Sequence, residues 1–202
     1  MTHRRRSALR ASPLAVTTLA VSAFVVALGC GGQVSTNDAG APNPDGCPAE
    51  STSPVALAQG LTLQPRNIAI AGTYAYFVAG IDDDSKSGKF QRVPLAGGPV
   101  EALADAANPI GIATDGTDVY WTSQGDGIVA RYTISSGVTS VLATGQTVPG
   151  RMVADGVDGV FWVNNGTGFS GAGIKHFSRT AGTTNAVASG RIRPIHIALD
   201  DK

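Results

Sequence analysis

The sequence predicts an all-β chain made of repeated four-stranded antiparallel sheets, and three observations predict it. Of 202 residues, 26 are Gly and 11 are Pro, while only 15% are charged, a balance that favours turn-rich β structure over long surface helices. Beyond residue 53 the apolar residues fall in short runs separated by turn residues, as in Asp115-Gly116 and Asp155-Gly156. Asp-Gly between two such runs is a hairpin signal, because Gly adopts the positive φ of a tight turn at low cost. The pattern also repeats with a period of ~40–45 residues, the length of a four-strand propeller blade.

Taken in chain order, residues 1–29 form a signal peptide. Arg4, Arg5, Arg6 and Arg10 give a positive start, and the apolar stretch 14–29 is long enough for a signal core but short for a stable membrane span. The string Val26-Ala27-Leu28-Gly29-Cys30 resembles the lipobox of bacterial lipoproteins, with Ala27 and Leu28 in the reverse of the preferred order. That resemblance implies a diacylglyceryl group on the Cys30 thiol, export, and attachment to the membrane of the cell envelope through lipid. The alternatives are an ordinary cleaved signal or a retained membrane helix. Gly31 stands where an Asp would mark inner-membrane retention in some bacteria, which favours the outer membrane. A lipidated Cys30 leaves Cys47 with no internal disulfide partner. Residues 30–52, rich in Gly, Pro, Asn and Ser, read as a flexible tether.

All 15 acidic residues lie beyond residue 30, so removal of the signal leaves a mildly acidic chain. Nucleic-acid affinity rests largely on Lys and Arg neutralising phosphates, and that balance excludes nucleic acid as a partner.

From residue 53 to 202 the repeat is explicit. Pro65, Pro109, Pro149 and Pro194 each precede an apolar pair: Ile68-Ala69, Ile112-Ala113, Met152-Val153 and Ile197-Ala198. An acid follows in three copies (Asp115, Asp155, Asp200), with Ala71 in the first. An aromatic pair comes next: Tyr76-Phe77, Tyr120-Trp121 and, one residue late, Phe161-Trp162. The second unit predicts strands over 111–114, 118–123, 128–134 and 138–143. Such a sheet buries both faces only by stacking on its neighbours, which places Trp121 and Trp162 in the core. Residues 53–58 match the outer-strand segment 98–104, and 195–199 begin a further unit. The count is thus one outer strand, three full blades and one inner strand, fewer than the ~4–8 blades of a closed ring. A truncated or degenerate frame, an open stack and two chains sharing one ring each account for it. Open blade edges also allow oligomerisation.

The strings D-G-T-D-V-Y-W-T at 115–122 and D-G-V-D-G-V-F-W-V at 155–163 resemble the blade motif of YWTD/NHL-type six-bladed β-propellers, over about residues 53–202. That resemblance implies architecture, and the fold hosts adhesion modules, lactonase-type hydrolases and lyases alike.

No catalytic residues emerge. Residues 166–171 fit G-x-G-x-x-G, but a strand pattern follows instead of the helix that would face a pyrophosphate. Ala172 stands in place of the last Gly of a nucleophile elbow around Ser170. Asp82, Asp83 and Asp84 begin an oxygen-rich run, but Pro94 occupies the place of the terminal Glu of a calcium loop, so it reads as a solvated loop. His176 and His196 show no ligand spacing. The sequence thus calls for no metal and no cofactor, and points away from an enzyme.

The expected function is a non-enzymatic lipoprotein whose loops bind protein or glycan; the alternatives are a propeller-type hydrolase or lyase, or a remnant of a longer propeller. Candidate loops are 59–64, 82–88, 105–108, 124–126, 144–148 and 164–171, because connections on a rigid scaffold commonly carry recognition. Within them the candidate contact residues are Asp82, Asp83, Asp84, Gln124, Asp126, Asn164 and Asn165.

Overall fold

The computed structural model describes residues 56–81, 87–167, 170–190 and 193–200. The segments expected to be a signal peptide and a tether, with Cys30 and Cys47, and the run Asp82, Asp83 and Asp84 lie outside the described residues.

Among the described residues, twelve strands form three four-stranded antiparallel sheets, each a meander in chain order. The first blade holds β1 (Gln64–Ala71), β2 (Tyr74–Gly80), β3 (Gly88–Pro94) and β4 (Glu101–Asp105). The second holds β5 (Pro109–Thr114), β6 (Asp118–Ser123), β7 (Ile128–Thr133) and β8 (Val138–Ala143). The third holds β9 (Pro149–Ala154), β10 (Gly159–Asn164), β11 (Gly173–Ser178) and β12 (Thr183–Ser189). This is the all-β, blade-type architecture that the repeat predicts. A strand, β11, follows the G-x-G-x-x-G segment.

The repeated acid caps the first turn of its blade. Asp115 Oδ1 accepts from the amides of Thr117 at 2.9 Å and Asp118 at 2.8 Å. Asp155 Oδ1 accepts from Val157, Asp158 and Gly159, and that third donor accommodates the extra residue which delays the Phe161-Trp162 pair. Gly116 and Gly156 supply φ of 85° and 72°, a conformation that costs side-chain-bearing residues strain.

Packing joins consecutive blades. Tyr76, Val78 and Phe90 of the first blade pack on Ile112, Val119, Trp121 and Tyr132 of the second. Ala113, Tyr120 and Val129 of the second pack on Met152, Val160, Trp162 and Phe177 of the third. Trp121 is 2% exposed and Trp162 0%, in the core where the aromatic pattern places them. The inner strands approach closely: a Cβ on Gly111 would lie 2.4 Å from the Gly150 carbonyl oxygen. There the Thr122 hydroxyl donates to Gly150 O across the junction at 2.9 Å while accepting from Gly111 N at 2.8 Å.

Two expected end strands differ from expectation. Residues 56–63 form no strand, yet Leu57 and Ala58 pack over Phe77 and Val93 of the first blade. Leu103-Ala104 and Leu142-Ala143 take the matching places over the second and third blades. Residues 193–200 are likewise non-strand, with Ile195 65% and Leu199 45% exposed. Strand character comes from ladder hydrogen bonds to a neighbour, and among the described residues no strand pairs with either segment.

Candidate functional site

In a four-strand meander the loop between the second and third strands emerges at the same end as the connection from the outer strand to the next inner strand. The described parts of the candidate loops are of these two kinds, with 59–64 leading from Leu57-Ala58 into the inner strand β1, so the topology gathers them on one rim of the blades.

Within the second and third blades these loops clamp each other in the same way. The amides of Gln124 and Gly125 donate to the carbonyls of Asn108 and Ala107 at 3.2 and 2.9 Å, and those of Asn165 and Gly166 donate to Val148 and Thr147 at 3.0 and 3.1 Å. The residue before three of the four repeated prolines is left-handed: Asn108, Val148 and Arg193 have φ of 47°, 54° and 47°. For β-branched Val148 that conformation is strained, and the paired loop amides hold the carbonyl beside it.

Side chains extend the clamp. Arg66 Nη1 donates to Asn108 Oδ1 at 2.5 Å, and Asn108 Nδ2 donates to Gln124 Oε1 at 3.3 Å. Asp126 is exposed but fixed, its Oδ2 accepting from Ser123 Oγ at 2.7 Å and Ala107 N at 3.1 Å. Gln146 Oε1 accepts from Trp162 Nε1 at 3.2 Å and Asn164 Nδ2 at 3.1 Å. Asn164 is 3% exposed, so it braces the rim from behind instead of standing on its surface. Its Oδ1 and that of Asn165 are buried without a hydrogen-bond partner.

A cavity of about 520 Å³ opens on this rim, lined by Thr62, Leu63, Ser87, Gly88, Lys89, Asp105, Ala106, Ala107 and Asp126. Lys89 Nζ pairs with Asp105 Oδ1 at 2.6 Å along its wall. The structure thus brings Gln124, Asp126, Asn164 and Asn165 to one end of the blades. Sequence reasoning did not single out Arg66, Lys89, Asn108 or Gln146. Asn108 and Gln146 lie inside the predicted loops, and their place just ahead of a repeated proline was the signal available.

A second polar cluster ties the second blade to the third. Arg179 Nη2 pairs with Asp115 Oδ2, donates to Tyr120 Oη at 2.8 Å and lies 3.3 Å from Asp118 Oδ2. Burial opposes the Asp115 charge, yet the amides of Asp118 and Thr117, the Tyr120 hydroxyl and Arg179 together hold its carboxyl below the usual range. Burial, with Asp115 adding to it, raises the Tyr120 hydroxyl well above the usual tyrosine range. A tyrosine held neutral beside Asp115, whose carboxyl is held charged with Arg179 facing it, forms an inter-blade tie, not a proton-transfer pair poised near neutrality. Among the described residues no group of three or more His, Cys, Asp or Glu side chains is arranged to hold a metal.

No protein-family model matches the sequence. No curated protein matches it either. Among solved structures the chain is similar to one from the nidogen/laminin complex, with 17% identity over 65% of this chain and 50% of that one and a TM-score of 0.50. It is also similar to a gluconolactonase from Xanthomonas campestris, with 15% identity over 68% of this chain and 50% of that one and a TM-score of 0.53. The chain therefore spans half the length of each. At such identities the likeness shows fold alone: these are blades of the six-bladed β-propeller kind, a fold that serves binding proteins and enzymes.

Proposed function

We propose that this chain is a non-enzymatic lipoprotein of the cell envelope, lipid-anchored through Cys30, whose loop rim binds a glycan. The observation that carries the binding reading is the rim cavity of about 520 Å³ with Lys89, Asp105 and Asp126 in its wall. Fixed charged groups of both signs beside backbone amides and carbonyls suit a ligand dense in hydroxyls, which both donates and accepts. Asp126 is held by Ser123 and Ala107 before any ligand arrives, so little ordering remains to oppose binding.

An array of glycans probed with the full chain tests the cavity. Lys89→Ala is expected to weaken binding tenfold or more with thermal unfolding unchanged, and Asp126→Ala to weaken it as much at a stability loss of about 1 kcal/mol from the contacts of Ser123 and Ala107 N that it removes. Binding confined to peptides or proteins, or glycan binding that survives both substitutions, would remove this reading. The anchor has its own test: Cys30→Ser is expected to move the protein from the membrane fraction to the soluble one, and retention in the membrane would contradict lipidation.

A further inference from the structure

The rim cavity does not end at Lys89. A second cavity, of about 370 Å³, adjoins it and shares Thr62, Leu63 and Lys89 with it. The segment 58–63 forms one wall of this second cavity, and β3 and β4 of the first blade form the other. Lys89 and Gln91 stand two residues apart on β3 and therefore on one face of the strand. Lys89 pairs with Asp105 of β4, and Gln91 with Ala102. One continuous groove thus runs from the rim, past the ion pair of Lys89 with Asp105, to Gln91 and Ala102. Each of its two parts lies within the ~300–1,000 Å³ that takes a small ligand, so the groove suits two successive units of a chain better than one compact molecule.

The chemistry changes along the groove. At the rim the wall carries Lys89, Asp105 and Asp126. Beyond Lys89 the lining holds no acid and no further base. The polar side chains there are Gln59, Thr62 and Gln91, and among the described residues none of the three has a hydrogen-bond partner for its side chain. The backbone of 59–63 lies in no strand and bonds to no other backbone among the described residues, which leaves amides and carbonyls on the same wall. Two primary amides and a hydroxyl each donate and accept. They match hydroxyl groups of either sense and ask for no counter-charge.

We infer that the ligand of this groove is a neutral oligosaccharide and not a single sugar. One ring lies in the rim cavity against Asp126 and Lys89, and the next lies beyond Lys89 between Gln59 and Gln91. This rests on the glycan reading of the rim and adds to it the length and charge of the ligand.

The test is a calorimetric titration of the full chain with mono- and tetrasaccharides of glucose, galactose, mannose and N-acetylglucosamine. At least one series is expected to gain about tenfold or more in affinity from one ring to four. Ala102→Trp, at an exposed position, fills the second cavity and should erase that gain. Gln91→Ala removes one amide and should cut the gain by about fivefold, the worth of a hydrogen bond. Far-ultraviolet circular dichroism is expected to be unchanged in both variants. The inference is overturned if single sugars bind as tightly as tetrasaccharides or if the gain survives either substitution undiminished. It is also overturned if none of these sugars binds while another glycan on the array does. In each of those outcomes the rim reading stands alone, whereas binding by no glycan at all removes both.

Discussion

The two junctions between blades set different chemistry on equivalent positions. Where the first blade meets the second, Phe90 stacks on Trp121 with centroids 4.3 Å apart, and Tyr76 and Tyr132 close around them with centroids 6.0 Å apart. Where the second meets the third, Trp162 still fills the core, but Asp115, Asp118 and Arg179 form an ionic tie beside it. The backbone repeat dictates where side chains meet, and each junction then chooses what meets there. The first junction rests on apolar area and ring packing. The second adds desolvated charges whose worth depends on keeping their partners.

The largest effect expected from that contrast is at the tryptophans. Trp121→Ala should cost about 3–5 kcal/mol in chemical denaturation, as truncation of a large buried aromatic side chain does. Trp162→Ala should cost a similar amount, but the Trp→Phe pair separates the two junctions. Trp121 Nε1 is buried without a partner, whereas Trp162 Nε1 donates to Gln146. Trp162→Phe should therefore lose about 1 kcal/mol more than Trp121→Phe, the net worth of one hydrogen bond. Equal losses would mean that the Gln146 contact contributes nothing.

How much of this was legible in the sequence follows the same division. The strands of the second unit, the burial of Trp121 and Trp162 and the turn acids are written locally, in Asp-Gly pairs and alternating apolar residues within a few positions of one another. The tie is not. Arg179 lies in a turn 59 residues from Tyr120, and nothing in its neighbours distinguishes it from a solvated surface arginine. Only the blade-to-blade register, an outcome of three-dimensional stacking, puts it opposite Asp115 and Asp118. The rim divides likewise: the loops were legible from turn composition and proline spacing, whereas Arg66 meeting Asn108 across 42 positions was not. Leu57-Ala58 matched later outer strands in sequence, but strand geometry needs a pairing neighbour that sequence alone does not supply.

The smaller effect breaks the comparison from the ionic side. Arg179→Met keeps the length of the side chain and removes its charge, leaving Asp115 and Asp118, with side chains 5% and 4% exposed, to face an apolar group. Loss of one partner from buried acids is costly, but the Arg179 side chain is 36% exposed and water screens the interaction. The expected loss near neutrality is about 1–2 kcal/mol, smaller in concentrated salt, with no comparable salt dependence for Trp121→Ala. Acid supplies the sharper measurement. Because Asp115 titrates below its ordinary range when folded, its stabilisation is complete above the unfolded value of ~4 and is lost as pH falls through the lower folded value. The gap between the parent and Arg179→Met should therefore be full at pH 6 and narrow as pH drops below about 4. Asp158, whose carboxyl the Ser178 and Thr180 contacts lower to about 2, loses its own contribution over the same limb. It does so in both proteins and cancels from the difference. A gap that stays constant from pH 6 down through this window would show that Arg179 holds the third blade by packing its aliphatic stem and not by its charge.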